Sequence, residues 1–289
     1  MINKVTIYLL FIPLLFACEK QIDIDLQDPD PVLAIEGQVT DQDTIQFVRL
    51  SYIQNYNSTE LPDFAAEKNA IVKLFEDNAE VGILIFNDST ERFEIQFTGT
   101  LNHSYNIEIV TENGEKYISE PEMINFVSPL DSLWSVKEDD TFSDGQSYVI
   151  KMNTFETPGL GDNYQWKIYV NGEYQDSPED ITTSNDQFID GQPILNIGIY
   201  EMSEEEYQEF QSKSPDGKVF VRVDQTGITE TYFNFLNEIV TQTVFVGGPF
   251  DPPPASIRGN VYKSTDINDR ALGYFQAVSV ESATTEVIP

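Results

Sequence analysis

The chain has 289 residues, among them 16 Lys and Arg against 49 Asp and Glu, one His and one Cys, for a net charge of −33. So acidic a surface repels nucleic acid and anionic headgroups, and a lone cysteine rules out a disulfide framework within the chain. With His103 as the single histidine, and no Gly-x-Ser-x-Gly, His-Glu-x-x-His or phosphate-binding glycine loop, the sequence argues against Ser-His hydrolases and histidine-ligated zinc enzymes.

The amino terminus places Lys4 before an apolar run from Val5 to Phe16, broken by Pro13 and closed by Leu15-Phe16-Ala17-Cys18. The run is about a dozen residues, short of the roughly 20 that cross a bilayer core, so it predicts a signal peptide over 1–17 and no transmembrane helix. A small residue before the cysteine and a branched apolar residue three before it resemble the bacterial lipobox. That resemblance implies lipidation at Cys18, with several acyl chains such as palmitate. At about 0.8 kcal/mol per buried methylene, several chains hold a protein on its membrane permanently. Lipidation would also consume the only thiol, leaving the body to depend on its hydrophobic core.

Residues 18–31 are polar, acidic and closed by Pro29 and Pro31, the composition of a tether. Acids soon after the cysteine are similar to the signal that exports lipoproteins to the cell surface in the Bacteroidota, interrupted here by Lys20 and Gln21. The localisation expected is therefore the outer membrane, lipid-anchored, with both the cell surface and the periplasmic side open for the body.

From 32 onward, short apolar and β-branched runs alternate with turn residues. Strands are predicted at 32–39, 45–53, 70–76, 81–86, 93–97 and 105–110. Phe93, Ile95 and Phe97 alternate with polar neighbours, as do Tyr105, Ile107 and Ile109, so each strand has one face for a core. Asn113-Gly114 predicts a type I′ hairpin before Tyr117-Ile118. These elements predict an antiparallel β-sandwich over 32–127.

A second β-rich domain is predicted over 128–289. Its strands are expected at 133–136, 148–152, 164–170, 194–200 and 218–224, with a second hairpin at Asn171-Gly172. Long loops at 157–163 and 175–193 offer the natural place for a binding surface. Ser203 with Glu206 three residues later is a capping box, predicting a short helix near 203–211; Tyr232, Phe233, Leu236, Ile239 and Val240 predict a longer one near 230–242. Tyr164, Trp166 and Ile168 share one strand face and are expected in the core rather than on a stacking platform.

The tail then carries Pro249-Phe250-Asp251-Pro252-Pro253-Pro254, Ile257-Arg258-Gly259-Asn260-Val261 and Leu272-Gly273-Tyr274-Phe275. With Gly37-Gln38-Val39-Thr40, Asn69-Ala70-Ile71-Val72 and Tyr117-Ile118-Ser119-Glu120 upstream, this order resembles the Bacteroidota lipoproteins called domain of unknown function 4249. Asn102-His103-Ser104 departs from that pattern, standing where a glycine usually precedes the tyrosine. The resemblance implies an immunoglobulin-like sandwich at the amino terminus, followed by a second β-rich domain. It also implies, through association with TonB-dependent receptors, an accessory role in an envelope complex.

Candidate sites are sparse. Asp139, Asp140 and Asp144 form one acidic turn and Asp266 to Asp269 another; either composition suits Ca2+, though neither has EF-hand spacing, and no other cofactor is expected. Pro249, Phe250, Pro252, Pro253 and Pro254 form a largely preset polyproline segment that a protein partner can bind at low entropic cost. The expected function is a noncatalytic, lipid-anchored partner-binding protein beside a TonB-dependent receptor. The alternatives are a free-standing binder of glycan or peptide and, with the many carboxylates, an acidic glycoside hydrolase.

Overall fold

Alternation in the sequence becomes alternation in burial. In the computed structural model, which describes residues 31–54, 63–139, 145–244 and 257–288, the amino-terminal layers comprise nine strands. They are β1 (Val32–Thr40), β2 (Thr44–Gln54), β3 (Asp63–Ala66), β4 (Ile71–Glu76), β5 (Ala79–Asn87), β6 (Arg92–Phe97), β7 (Ser104–Val110), β8 (Lys116–Ser119) and β9 (Glu122–Met123). Leu33, Ile35 and Val39 of β1 face Val72 and Leu74 of β4 and Tyr105, Ile107 and Ile109 of β7 in one core, while Asn106 and Glu108 point away from it. Strand β5 pairs with β4 through Leu84 and with β6 from Ile85 onward, so it crosses from one sheet of the sandwich to the other.

The turns follow backbone chemistry. Asn171 (φ 49°) and Gly172 (φ 90°) both take the left-handed conformation that a type I′ turn requires, as predicted. Asp77 (φ 47°) and Asn78 (φ 69°) form a second such turn between β4 and β5, one the sequence reading passed over. Asn113-Gly114 departs from its prediction, since only Gly114 has positive φ, at 86°. Gly114 N donates to Thr111 O at 2.9 Å and Thr111 N to Glu115 O at 3.0 Å, so Asn113 closes an ordinary turn and Gly114 alone supplies the left-handed step.

The following strands are β10 (Leu130–Asp139), β11 (Gln146–Phe155), β12 (Asn163–Val170), β13 (Glu173–Tyr174), β14 (Thr182–Asn185) and β15 (Pro193–Ser203). Helix α1 (Glu204–Lys213), β16 (Phe220–Ile228) and helix α2 (Glu230–Thr243) come next. A three-stranded sheet ordered β10-β11-β15 supplies Tyr148, Ile150 and Met152 to a second core; β12 and β16 supply Tyr164, Trp166, Ile168, Val221 and Val223. Helix α1 begins on the expected capping box, with Glu206 N donating to Ser203 Oγ and Ser203 N to Glu206 Oε2, and its Tyr207 stacks on Tyr148 at 4.4 Å. Helix α2 seats Tyr232 and Leu236 against Tyr274 and Val278.

The chain ends in β17 (Val261–Lys263), β18 (Asp266–Arg270) and β19 (Leu272–Glu286). Strand β19 runs parallel to β1 from Leu272 to Val278, the one parallel pairing in an otherwise antiparallel arrangement among the described residues, then antiparallel to β16 from Ser279 to Glu286. Val261, Ala271, Phe275 and Ala277 fill the first core and Val287 the second. The segment that the sequence grouped with the second set of strands therefore returns to complete the first, because β1 needs a neighbour on its free edge. Among the described residues, no helix is long and apolar enough to cross a membrane.

Candidate functional site

Parity along β11 builds the site. Tyr148, Ile150, Met152 and Thr154 alternate inward, and the next inward position, one residue past the strand, is Glu156, with no exposed surface. Asp162, just before β12, and Asp186, just after β14, meet it there, with the available carboxylate oxygens of all three within 4.8 Å of one another. Asp186 Oδ2 accepts from Gly161 N at 2.7 Å and Asp162 N at 3.0 Å, and Thr157 Oγ1 donates to Asp162 Oδ2 at 2.9 Å. Gly161, with φ 125°, turns two successive N–H groups toward one oxygen, a conformation that side-chain-bearing residues rarely adopt.

Glu156 is the unusual member. Its backbone N donates to Gln192 O at 3.0 Å, yet neither carboxylate oxygen has a hydrogen-bond partner. Burial pushes the carboxyl up to about 7, and the charges of Asp162 and Asp186 add to the shift. The nearby Tyr164 hydroxyl opposes it from outside hydrogen-bonding geometry. Burial and Glu156 together also raise the Tyr164 hydroxyl. Such a cluster is a donor set for a hard cation. It makes a poor glycosidase pair, because Glu156 and Asp186, 0% and 4% exposed, are closed to a sugar that must sit between acid and nucleophile.

Most of the residues nominated from sequence fall outside the described part of the structure. Cys18, Asp140, Asp144, Pro249, Phe250, Pro252, Pro253 and Pro254 lie outside the described residues, and Asp139 is exposed at the end of β10. Asp266 Oδ1 accepts from Asn268 N at 2.9 Å and Asp269 pairs with Lys263 at 3.1 Å, so that acidic turn is internally satisfied. His103 Nδ1 lies 2.9 Å from Asp77 and 3.1 Å from Glu76, an ion pair only when the imidazole is protonated. Trp166 is 7% exposed within the second core, as expected, while Trp134 is half-buried and belongs to none of the three core clusters. Beside the start of β1 opens a cleft of 760 Å³ lined by Tyr52, Tyr117, Lys263 and Arg270. Glu115 and Asp269 hold Lys263 at 2.8 and 3.1 Å, and Glu120 holds Arg270 at 2.8 Å.

A family model described as Domain of unknown function (DUF4249) matches residues 19–284. The chain belongs to that family. No curated protein and no solved structure matches it.

The structure explains what the DUF4249-like signature in the tail does. A Cβ on Gly259 would lie 2.0 Å from Gly273 O, and one on Gly273 would lie 2.0 Å from Ile35 O, so two glycines let three backbones stack in contact. Asn260 acts as a substitute strand neighbour, donating to Phe275 O at 2.8 Å and accepting from Phe275 N at 2.9 Å. Tyr274 Oη donates to Glu122 Oε1 at 2.6 Å, and Thr229 and Thr231 donate to the same carboxylate at 2.5 and 3.1 Å. Burial raises the Glu122 carboxyl, while these donors oppose the rise. The signature of this DUF4249 chain is thus a satisfied buried lock joining β9, α2 and β19, and its chemistry is spent on the fold.

Proposed function

We propose that this DUF4249 chain is a noncatalytic, lipid-anchored protein of the outer membrane that binds another envelope component, a TonB-dependent receptor in the first instance. The observation that carries the reading is an exposed apolar end on the second set of strands. Loops 157–163 and 186–192 are tied together where Gly159 N donates to Asp190 Oδ1 at 2.6 Å and Asp186 N to Asp162 O at 3.1 Å. They hold out Leu160 at 71% and Phe188 at 91% exposure. Strand β15 follows directly, bearing exposed Leu195 and Ile197, and among the described residues it has β11 as its one neighbour in its sheet. Solvent-facing apolar side chains beside an open strand edge suit a partner that adds a strand and fills shallow pockets.

Attachment is supported by the signal features before Cys18 and by a family match that opens at Glu19, immediately after it. Confinement to the membrane plane raises the effective concentration beside any barrel there, so modest contacts suffice. The test is a gentle-detergent pulldown of the lipidated protein after light crosslinking. A stoichiometric TonB-dependent barrel is expected with the native chain, and at least a tenfold loss with Leu160→Ser, Phe188→Ser and Ile197→Thr combined. Equal recovery with the triple variant would remove this surface from the reading, and release of no protein by Cys18→Ser would remove the anchor.

A further inference from the structure

We propose that Glu156, Asp162 and Asp186 form a Ca2+ site. Their oxygens lie within 4.8 Å of one another. Two oxygens bound to one Ca2+ at about 2.3–2.6 Å lie at most about 4.6–5.2 Å apart, so each pair is within the span of one ion, and a shift of about a few tenths of an ångström at most seats all three. Hydrogen bonds leave an oxygen free on each: Asp186 commits Oδ2 to Gly161 and Asp162 N–H, Asp162 commits Oδ2 to Thr157, and Glu156 commits neither. Three negative charges suit a divalent cation, and water or backbone carbonyls complete the usual six to eight oxygens.

Glu156 points to a ligand independently of the clustering. A carboxylate buried without a partner is expensive, and proteins pair or coordinate such groups. Of the polar groups lining the small cavity beside it, Trp166, Gln225 and Thr154 are engaged with one another, and the Tyr164 hydroxyl stands outside hydrogen-bonding geometry to the carboxylate. Trp166 Nε1 donates to Gln225 Oε1 at 2.8 Å, and Gln225 Nε2 donates to Ser128 O at 2.7 Å and to Thr154 Oγ1 at 3.2 Å. No salt bridge reaches Glu156, Asp162 or Asp186 among the described residues. What is missing around Glu156 is positive charge that accepts oxygen lone pairs. The assignment stands on this geometry and not on the partner reading. Its consequence for that reading is that Ca2+ clamps the two loops carrying Leu160 and Phe188.

The test uses the purified chain stripped with EGTA. Excitation of the protein is expected to sensitise Tb3+ emission, since Tyr164 and Trp166 line the cavity beside Glu156. Ca2+ should displace the Tb3+ and raise the thermal midpoint, with half-saturation near the 10⁻⁴–10⁻³ M of about the weakest extracellular Ca2+ modules, or tighter. Glu156→Gln should weaken Ca2+ at least tenfold while unfolding no earlier than the native chain in EGTA, because it removes an unpaired buried charge. Asp162→Asn, at a partly exposed position, supplies the same readout should the first variant not fold. No Ca2+ response at 10 mM (about tenfold above that range), or a response undiminished in both variants, overturns the assignment. Partner recovery is measured separately, so neither outcome is confused with loss of the receptor contact.

Discussion

Lys167 shows how one residue records its surroundings. It lies on β12 near the junction with β1, where its Nζ donates to Gln38 Oε1 at 2.8 Å. Burial lowers its ammonium from 10.5 to about 8, against the opposing pull of Asp224 and Glu36. The folded value is below the unfolded one, so the unfolded chain holds more protons between about 8 and 10.5. Stability therefore rises with pH across that window, and the cost of burying the charge is fully present below it. Ionisation of tyrosines in the unfolded chain sets in near about 10 and opposes the rise, so the useful range ends about there. Denaturant midpoints taken from pH 7 to 9.5 should climb in the native chain and stay level in Lys167→Met, which should be more stable at pH 7 by about 1–3 kcal/mol. A flat native profile would mean that the amine is solvated.

At the scale of elements, β19 depends on a contact that tolerates no side chain. Gly273 combines φ 83° with a would-be Cβ position 2.0 Å from Ile35 O, whereas Gly114 has φ 86° and open space around it. Gly114→Ala meets only the conformational penalty, about 1 kcal/mol, while Gly273→Ala must also separate β19 from β1, for about 3 kcal/mol or more. Comparable losses in chemical denaturation would show that the β1–β19 approach relaxes freely. Elements were legible wherever the signal is local: the capping box at Ser203 and Glu206, the alternation of Tyr105, Ile107 and Ile109, and the turn at Asn171-Gly172 all fold as their chemistry dictates. The partner of β1 was not legible, because its parallel pairing with β19 joins Ala34 to Leu272 across most of the chain. The candidate site failed to show for a related reason. Local acid density singled out Asp139, Asp140 and Asp144, two of which lie outside the described residues, whereas Glu156 stands without an acidic neighbour between Phe155 and Thr157. The strand parity that buries Tyr148, Ile150 and Met152 also aims Glu156 inward, and that signal was available in the sequence.

For the whole molecule, the decisive feature is that one strand belongs to both halves. The first part of β19 completes the amino-terminal sheet against β1, and its second part completes the other against β16. The junction is held by direct contacts as well: Ser279 Oγ donates to Asn125 O at 2.5 Å, Asn125 Nδ2 to Ile228 O at 3.3 Å, and a Cβ on Gly227 would lie 2.8 Å from Phe126 O. Unfolding either core strips half of β19 of its hydrogen bonds and opens the Glu122 lock, so neither core can melt while the other keeps its own edge intact. Calorimetry should therefore record one transition, with calorimetric and van't Hoff enthalpies in agreement. Leu74→Ala in the first core and Ile168→Ala in the second each create a cavity costing about 2–5 kcal/mol. Both should move that single transition down by about 5–15 °C without splitting it. Two resolved transitions, each answering to only one of the substitutions, would show that β19 parts at Val278 and Ser279 and that the halves fold as separate units.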